Sequence, residues 1–135
     1  MENVAINFWA VIVAALSMFV MGGLWYSPAL FGKLWAKENG FTEDFVNGGN
    51  KLKIFGGSFL LSLIMAFNLA GFVSGYQDWT WGLLGGFLAG FGWLAMGLGV
   101  LYLFERRSLK LFLINAGYFV VSFLVMGLIL GVWKD

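Results

Sequence analysis

The stretch LFLINAGYFVVSFLVMGLILGVW, residues 111–133, holds no charged side chain between Lys110 and Lys134. A helix needs roughly 20 apolar residues to cross a hydrocarbon core about 30 Å thick. The run is long enough, and its apolar residues are continuous rather than alternating, so it reads as a membrane helix and not as a barrel strand. Three further charge-free intervals precede it: between Glu2 and Lys33, between Lys53 and Asp78, and between Asp78 and Glu105. The spans predicted from these intervals are 4–25, 54–74, 80–104 and 111–133. Together they give an all-α membrane protein, one domain over 1–135, with four transmembrane helices in one bundle.

Composition agrees. A soluble domain carries about a quarter charged residues, whereas here the charged fraction is 11% and AVILMFWYC residues reach 61%. Glycine occurs 20 times and proline once, a bias suited to closely packed membrane helices. The absence of cysteine and histidine excludes disulfides, Cys- or His-built zinc and haem sites, and Cys/His nucleophilic catalysis. The first span is expected to be a retained helix rather than a cleaved signal peptide. It opens on Glu2 instead of a basic cluster, is too long, and shows no small-x-small cleavage site before a polar start.

Orientation follows from the short loops. Lys33, Lys37, Lys51 and Lys53 lie between the first two spans, Arg106, Arg107 and Lys110 lie between the last two, and the other side has only Lys134. Basic loops stay in the cytoplasm, which predicts a multi-pass protein of the bacterial cytoplasmic membrane with both termini outside, and argues against dual topology. Trp25, Tyr26, Trp79, Trp81 and Trp133 fall where amphipathic rings meet headgroups.

In the cytoplasmic loop, 26–53, Pro28 suits the first turn of a new helix with Ser27 as its cap. Leu30, Phe31, Leu34 and Trp35 then share one face and Lys33 and Lys37 another. This pattern fits a short amphipathic helix in the interface, its lysines toward anionic lipid, or a loop folded back over the bundle. Gly40 stops that helix, and Thr42 caps another short turn before Gly48-Gly49. The string Gly23-Leu24-Trp25-Tyr26-Ser27-Pro28, then Phe31-Gly32 and Trp35, followed by three more hydrophobic segments, resembles a bacterial membrane-protein family, the domain of unknown function 1761. The resemblance covers nearly the whole chain and implies a small multi-span membrane protein. It brings no reaction, substrate or functional residue with it.

Small residues mark packing seams, because helices in lipid associate through close contact rather than through the hydrophobic effect. Ser58, Ser62, Ala66, Ala70 and Ser74 recur every four residues in the second span, and Gly82, Gly86 and Gly90 in the third. Ala10 and Ala14 in the first span and Gly127 and Gly131 in the last are shorter versions. The seams pack one protomer or face another copy. The glycines of the third span also weaken it locally, permitting a kink or a break.

No ionisable residue falls inside a predicted span, which argues against a proton-coupled exporter built on an embedded carboxylate. The polar residues left are Asn68, Asn115, Tyr118, Ser17, Ser58, Ser62 and Ser122. Asn68 is placed deep enough to need a partner inside the bundle, and Asn115 near the cytoplasmic surface; each is expected to make an interhelical hydrogen bond. No catalytic, cofactor-binding or metal residue is assigned, and no cofactor or nucleic acid is implied. Two functions follow: a non-enzymatic membrane protein acting through helix packing as a homo-oligomer or membrane partner, or a channel or facilitator for a small neutral or anionic solute lined by Ser58, Ser62, Asn68 and Asn115. Lys33, Lys37, Arg106 and Arg107 are candidates for contact with membrane lipid headgroups, and an ion pair between Glu43-Asp44 and the 105–107 cluster would join the two basic loops.

Overall fold

A computed structural model describes residues 6–75 and 78–133, and among these all regular structure is helical. Helix α1 covers Phe8–Trp25, α2 Gly32–Asn39, α3 Glu43–Asn47, α4 Leu52–Val73, α5 Thr80–Glu105 and α6 Leu109–Val132. The four long helices, α1, α4, α5 and α6, are each long and apolar enough to span a membrane. Positions 4 and 5 of the predicted first span, and Lys134, lie outside the described residues.

Local signals explain the helix starts. Asn7 Oδ1 accepts from the amides of Trp9 and Ala10 at 3.0 and 3.2 Å and so starts α1. The Asn50 side chain accepts from Lys53 N at 3.1 Å, Asp78 from Thr80 N at 3.0 Å, and Ser108 Oγ from Leu111 N at 3.1 Å. The second span therefore begins two residues before the predicted 54, and the fourth two before 111, because the caps sit inside the polar flanks. Helix α5 closes on Arg106, whose φ of 56° is left-handed, with Arg107 N donating to Tyr102 O at 3.0 Å.

Helix α6 is the hub. It is the most buried of the four long helices and α5 the least, and it touches α1, α2, α4 and α5. Between α5 and α6 the approach is backbone to backbone. A methyl group at Gly82 or Gly86 would collide with the carbonyl of Gly127 or Phe123, and one at Gly131 would meet Trp79 O at 2.7 Å. The seams read from the sequence thus close within one protomer. On the other side Ala10, Ala14, Ala15 and Met18 of α1 join Ala66, Leu69, Ala70 and Val73 of α4, and Met126 of α6, in one buried core. Of the small-residue stripe on α4, Ser62, Ala66 and Ala70 are buried while Ser58 is exposed.

Helix α5 is continuous but widens into a π-helical stretch at Gly90–Ala95. The glycine run loosens the helix as expected without breaking it. A second π-helical stretch, Leu52–Gly56, opens α4.

Candidate functional site

The turn after α1 is the most elaborate piece of backbone. Ser27 does not cap a helix from Pro28; its hydroxyl donates back to Leu24 O at 2.7 Å, and α2 begins only at Gly32. The intervening turn is closed by Phe31 N to Trp25 O at 3.0 Å and Gly32 N to Ser27 O at 2.9 Å. A Cβ at position 32 would collide with Tyr26 O and lie 2.8 Å from Ser27 O, so only glycine allows the return. Trp25 stacks at a tilt on Phe31, 4.9 Å between centroids, and donates its indole N–H to Ile114 O of α6 at 2.8 Å. Trp25 and Tyr26 are partly buried and make tertiary contacts with α6.

Tyr26 is the centre of a polar relay. Its hydroxyl donates to Asn115 Oδ1 at 2.6 Å, and Asn115 Nδ2 donates to Tyr102 Oη at 2.7 Å, linking the end of α1, α6 and α5. Burial pushes the Tyr26 phenol above its ordinary value, with Tyr118 and Tyr102 adding to the effect, so it stays a neutral donor. Tyr118 donates to Met18 O at 3.1 Å. From Tyr118 a line of rings runs outward through Tyr26, Trp35, Phe41 and Phe45, with successive centroids 5.4, 5.4, 5.2 and 4.3 Å apart. These spacings lie at or near the range of attractive aromatic contact, and they tie α2 and α3 to the long helices. Gly40, with φ of 73°, ends α2, and Thr42 Oγ1 accepts from Phe45 N at 3.1 Å to start α3, both as expected.

Behind this line lies a cleft of about 860 Å³ between α1 and α4, roofed by the loop. Phe19, Tyr26, Trp35, Ser58, Ser62 and Tyr118 line it, and Asp44 and Lys51 stand in its wall from the loop and the start of α4. Phe19 meets Phe55 and Phe59 edge-on at 6.1 Å, bridging the two helices at this level. Ala14 and Ala66 of the buried core have no exposed surface, and Met18 and Met126 are 2% and 0% exposed. The cleft is blind.

The sequence-predicted residues divide accordingly. Ser58 and Ser62 share the cleft, where Ser62 Oγ also donates to Ser58 O at 2.8 Å. Asn115 lies next to the cleft, in the relay. Asn68 does not belong with them. It is exposed on the outer face of α4, and its amide donates to Ile64 O of its own helix at 2.8 Å rather than to another helix. Lys33, Lys37 and Arg106 are exposed. Arg107 is engaged: Nε donates to Glu105 at 2.6 Å and Nη1 to Asn39 Oδ1 at 3.0 Å, so Asn39, rather than Glu43 or Asp44, joins the two loops. The Glu105 hydrogen bond holds the guanidinium above its ordinary value. Tyr26, Trp35 and Tyr118 were missed as site residues; their signal was an aromatic at each element that meets the loop. Among the described residues no three His, Cys, Asp or Glu side chains gather where a metal would bind.

The family model "Protein of unknown function (DUF1761)" matches residues 9–131, and the chain belongs to that family. No curated protein and no solved structure is significantly similar to it.

Proposed function

We propose that this DUF1761 protein is a non-enzymatic, multi-pass protein of the bacterial cytoplasmic membrane that takes a small neutral solute into its loop-side cleft. In this reading the four long helices form one bundle with both termini outside, and α2 lies in the cytoplasmic interface with Lys33 and Lys37 toward anionic lipid. The observation that carries it is the cleft's lining, in which Ser58, Ser62, Tyr26 and Tyr118 stand with Phe19, Trp35 and Phe45, and the charged side chains Asp44 and Lys51 are one of each sign. Such a mixture of apolar walls and a few polar groups is what small-molecule sites use. Conduction to the far side requires the Met18 and Met126 side chains to move, so a facilitator is the same site with a gate.

Binding is tested on purified protein with a panel of uncharged amphiphilic solutes, following tryptophan fluorescence, since Trp35 lines the cleft. Saturable quenching that Ser62→Leu abolishes supports the reading. No saturable change with any member of the panel sinks it, and flux across reconstituted vesicles separates a binding protein from a facilitator.

A second reading, homo-oligomerisation, is supported by α5, the least covered of the long helices, where Gly92 and Gly97 meet nothing within 4 Å. Gly97→Leu then lowers the oligomer size in detergent, and an unchanged monomeric size counts against it. Gly82, Gly86 and Gly90 no longer favour assembly, because α6 already occupies that face.

A further inference from the structure

We propose that the groove between the loop-side ends of α5 and α6 binds one anionic glycerophospholipid, an acyl chain lying in the groove and the phosphate at Arg106, Arg107 and Lys110. The proposal rests on the membrane reading above but not on the solute cleft. The groove has a structural cause. The Gly82, Gly86 and Gly90 seam brings the two helices into backbone contact, but it ends at the π-helical stretch Gly90–Ala95. Beyond that point Tyr102 and Phe112 meet edge-on at 6.4 Å, and larger side chains hold the helices apart. The space left is about 470 Å³, within the roughly 300–1,000 Å³ usual for ligand sites.

Its walls are almost wholly apolar, with Met96, Gly99, Val100, Leu103, Leu109 and Phe112 along its length. The polar residues, Tyr102, Arg107 and Ser108, come from the end nearest the basic loop. The groove opens sideways: Val100 is 57% and Leu103 81% exposed. An occupant therefore enters from the bilayer and not from water. Charge selects its headgroup. The turn supplies Arg106, Arg107 and Lys110 against Glu105 alone, a surplus of two positive charges at the mouth of an apolar slot. The Arg107 guanidinium lies over the Tyr102 ring at 5.7 Å, and with 41% of its side chain exposed it keeps N–H groups for a phosphate oxygen while Nε holds Glu105.

The test is native mass spectrometry of the full chain taken from vesicles of equal phosphatidylglycerol and phosphatidylcholine. One phosphatidylglycerol is retained, about ten-fold over phosphatidylcholine, the size expected of a charge-assisted contact. Arg106→Gln with Arg107→Gln removes that preference, and Lys53→Gln, on another element, leaves it. Val100→Trp, at an exposed position, fills the groove and reduces retention of both lipids. Equal retention of the two lipids, retention that Val100→Trp leaves undiminished, or a preference that survives the double arginine variant, overturns the proposal. Flotation with pure phosphatidylcholine vesicles is run in parallel. Protein that floats but shows no preference fails this proposal alone, whereas protein that does not float fails the membrane reading.

Discussion

Asn115 holds two phenols at once, accepting from Tyr26 and donating to Tyr102, and thereby fastens three helices with one side chain. Hydrogen bonds between membrane helices average about 0.6 kcal/mol, and a buried hydroxyl left without its partner costs about 1–3 kcal/mol. Asn115→Leu, which keeps the branching and the number of heavy atoms, is therefore expected to destabilise by about 2 kcal/mol in thermal unfolding in detergent. Combined with Tyr26→Phe the losses should fall short of the sum; strict additivity would show that the two side chains do not interact. Arg106 behaves oppositely. A non-glycine residue in left-handed conformation costs about 1–2 kcal/mol, so Arg106→Gly should stabilise the fold by about 1 kcal/mol, at the cost of a cation in the loop. The interhelical bond of Asn115 was legible in the sequence as a polar side chain within an apolar run, but its two tyrosine partners were not, since they are set by how the helices pack. Asn68 was misread for a physical reason: depth can be counted along a sequence, but the face a side chain takes is set by packing, and the i−4 carbonyl gave it a partner on the lipid side.

At the scale of elements, the seam of α5 and α6 separates glycines that are needed from glycines that are not. Gly86 lies against the Phe123 carbonyl, with no room for a methyl group, whereas Gly97 sits in the same helix facing open space. Gly86→Ala should cost about 1–3 kcal/mol through overpacking, while Gly97→Ala should be neutral or stabilising by up to about 1 kcal/mol from helix propensity. Equal effects in a denaturation series would mean that the seam is not close-packed. The spacing of small residues announced this seam but not its partner, since identical spacing serves an intramolecular or an intermolecular contact. The loop was harder. Pro28 carried a valid helix-start signal, yet the contact that decides the turn, Gly32 against Tyr26 O, is not a local pattern, and the helix starts four residues later.

For the whole molecule, the charge-free intervals made the four long helices legible within a few residues, because a hydrocarbon core imposes both length and composition. The cleft was not legible, since it arises where α1, α4 and a folded loop fail to close. Its use depends on orientation: it opens at the end that carries Lys33, Lys37, Lys51 and Arg107, so the side of the membrane facing those cations is the side from which a solute enters. The chain contains no cysteine, so single replacements report without background. Lys37→Cys and Arg106→Cys are exposed at the basic end, and Trp79→Cys and Trp133→Cys at the other, where the native rings are 46% and 40% exposed. In intact cells a membrane-impermeant maleimide is expected to label the second pair and spare the first until the membrane is opened. The reverse pattern would invert the protein and place the cleft outside, and labelling of both pairs in intact cells would mean mixed insertion, against the seven-to-one bias of the basic residues. Ser62→Cys completes the argument: a permeant maleimide should reach it from the basic side, and bound solute should slow that reaction, joining orientation and occupancy in one measurement.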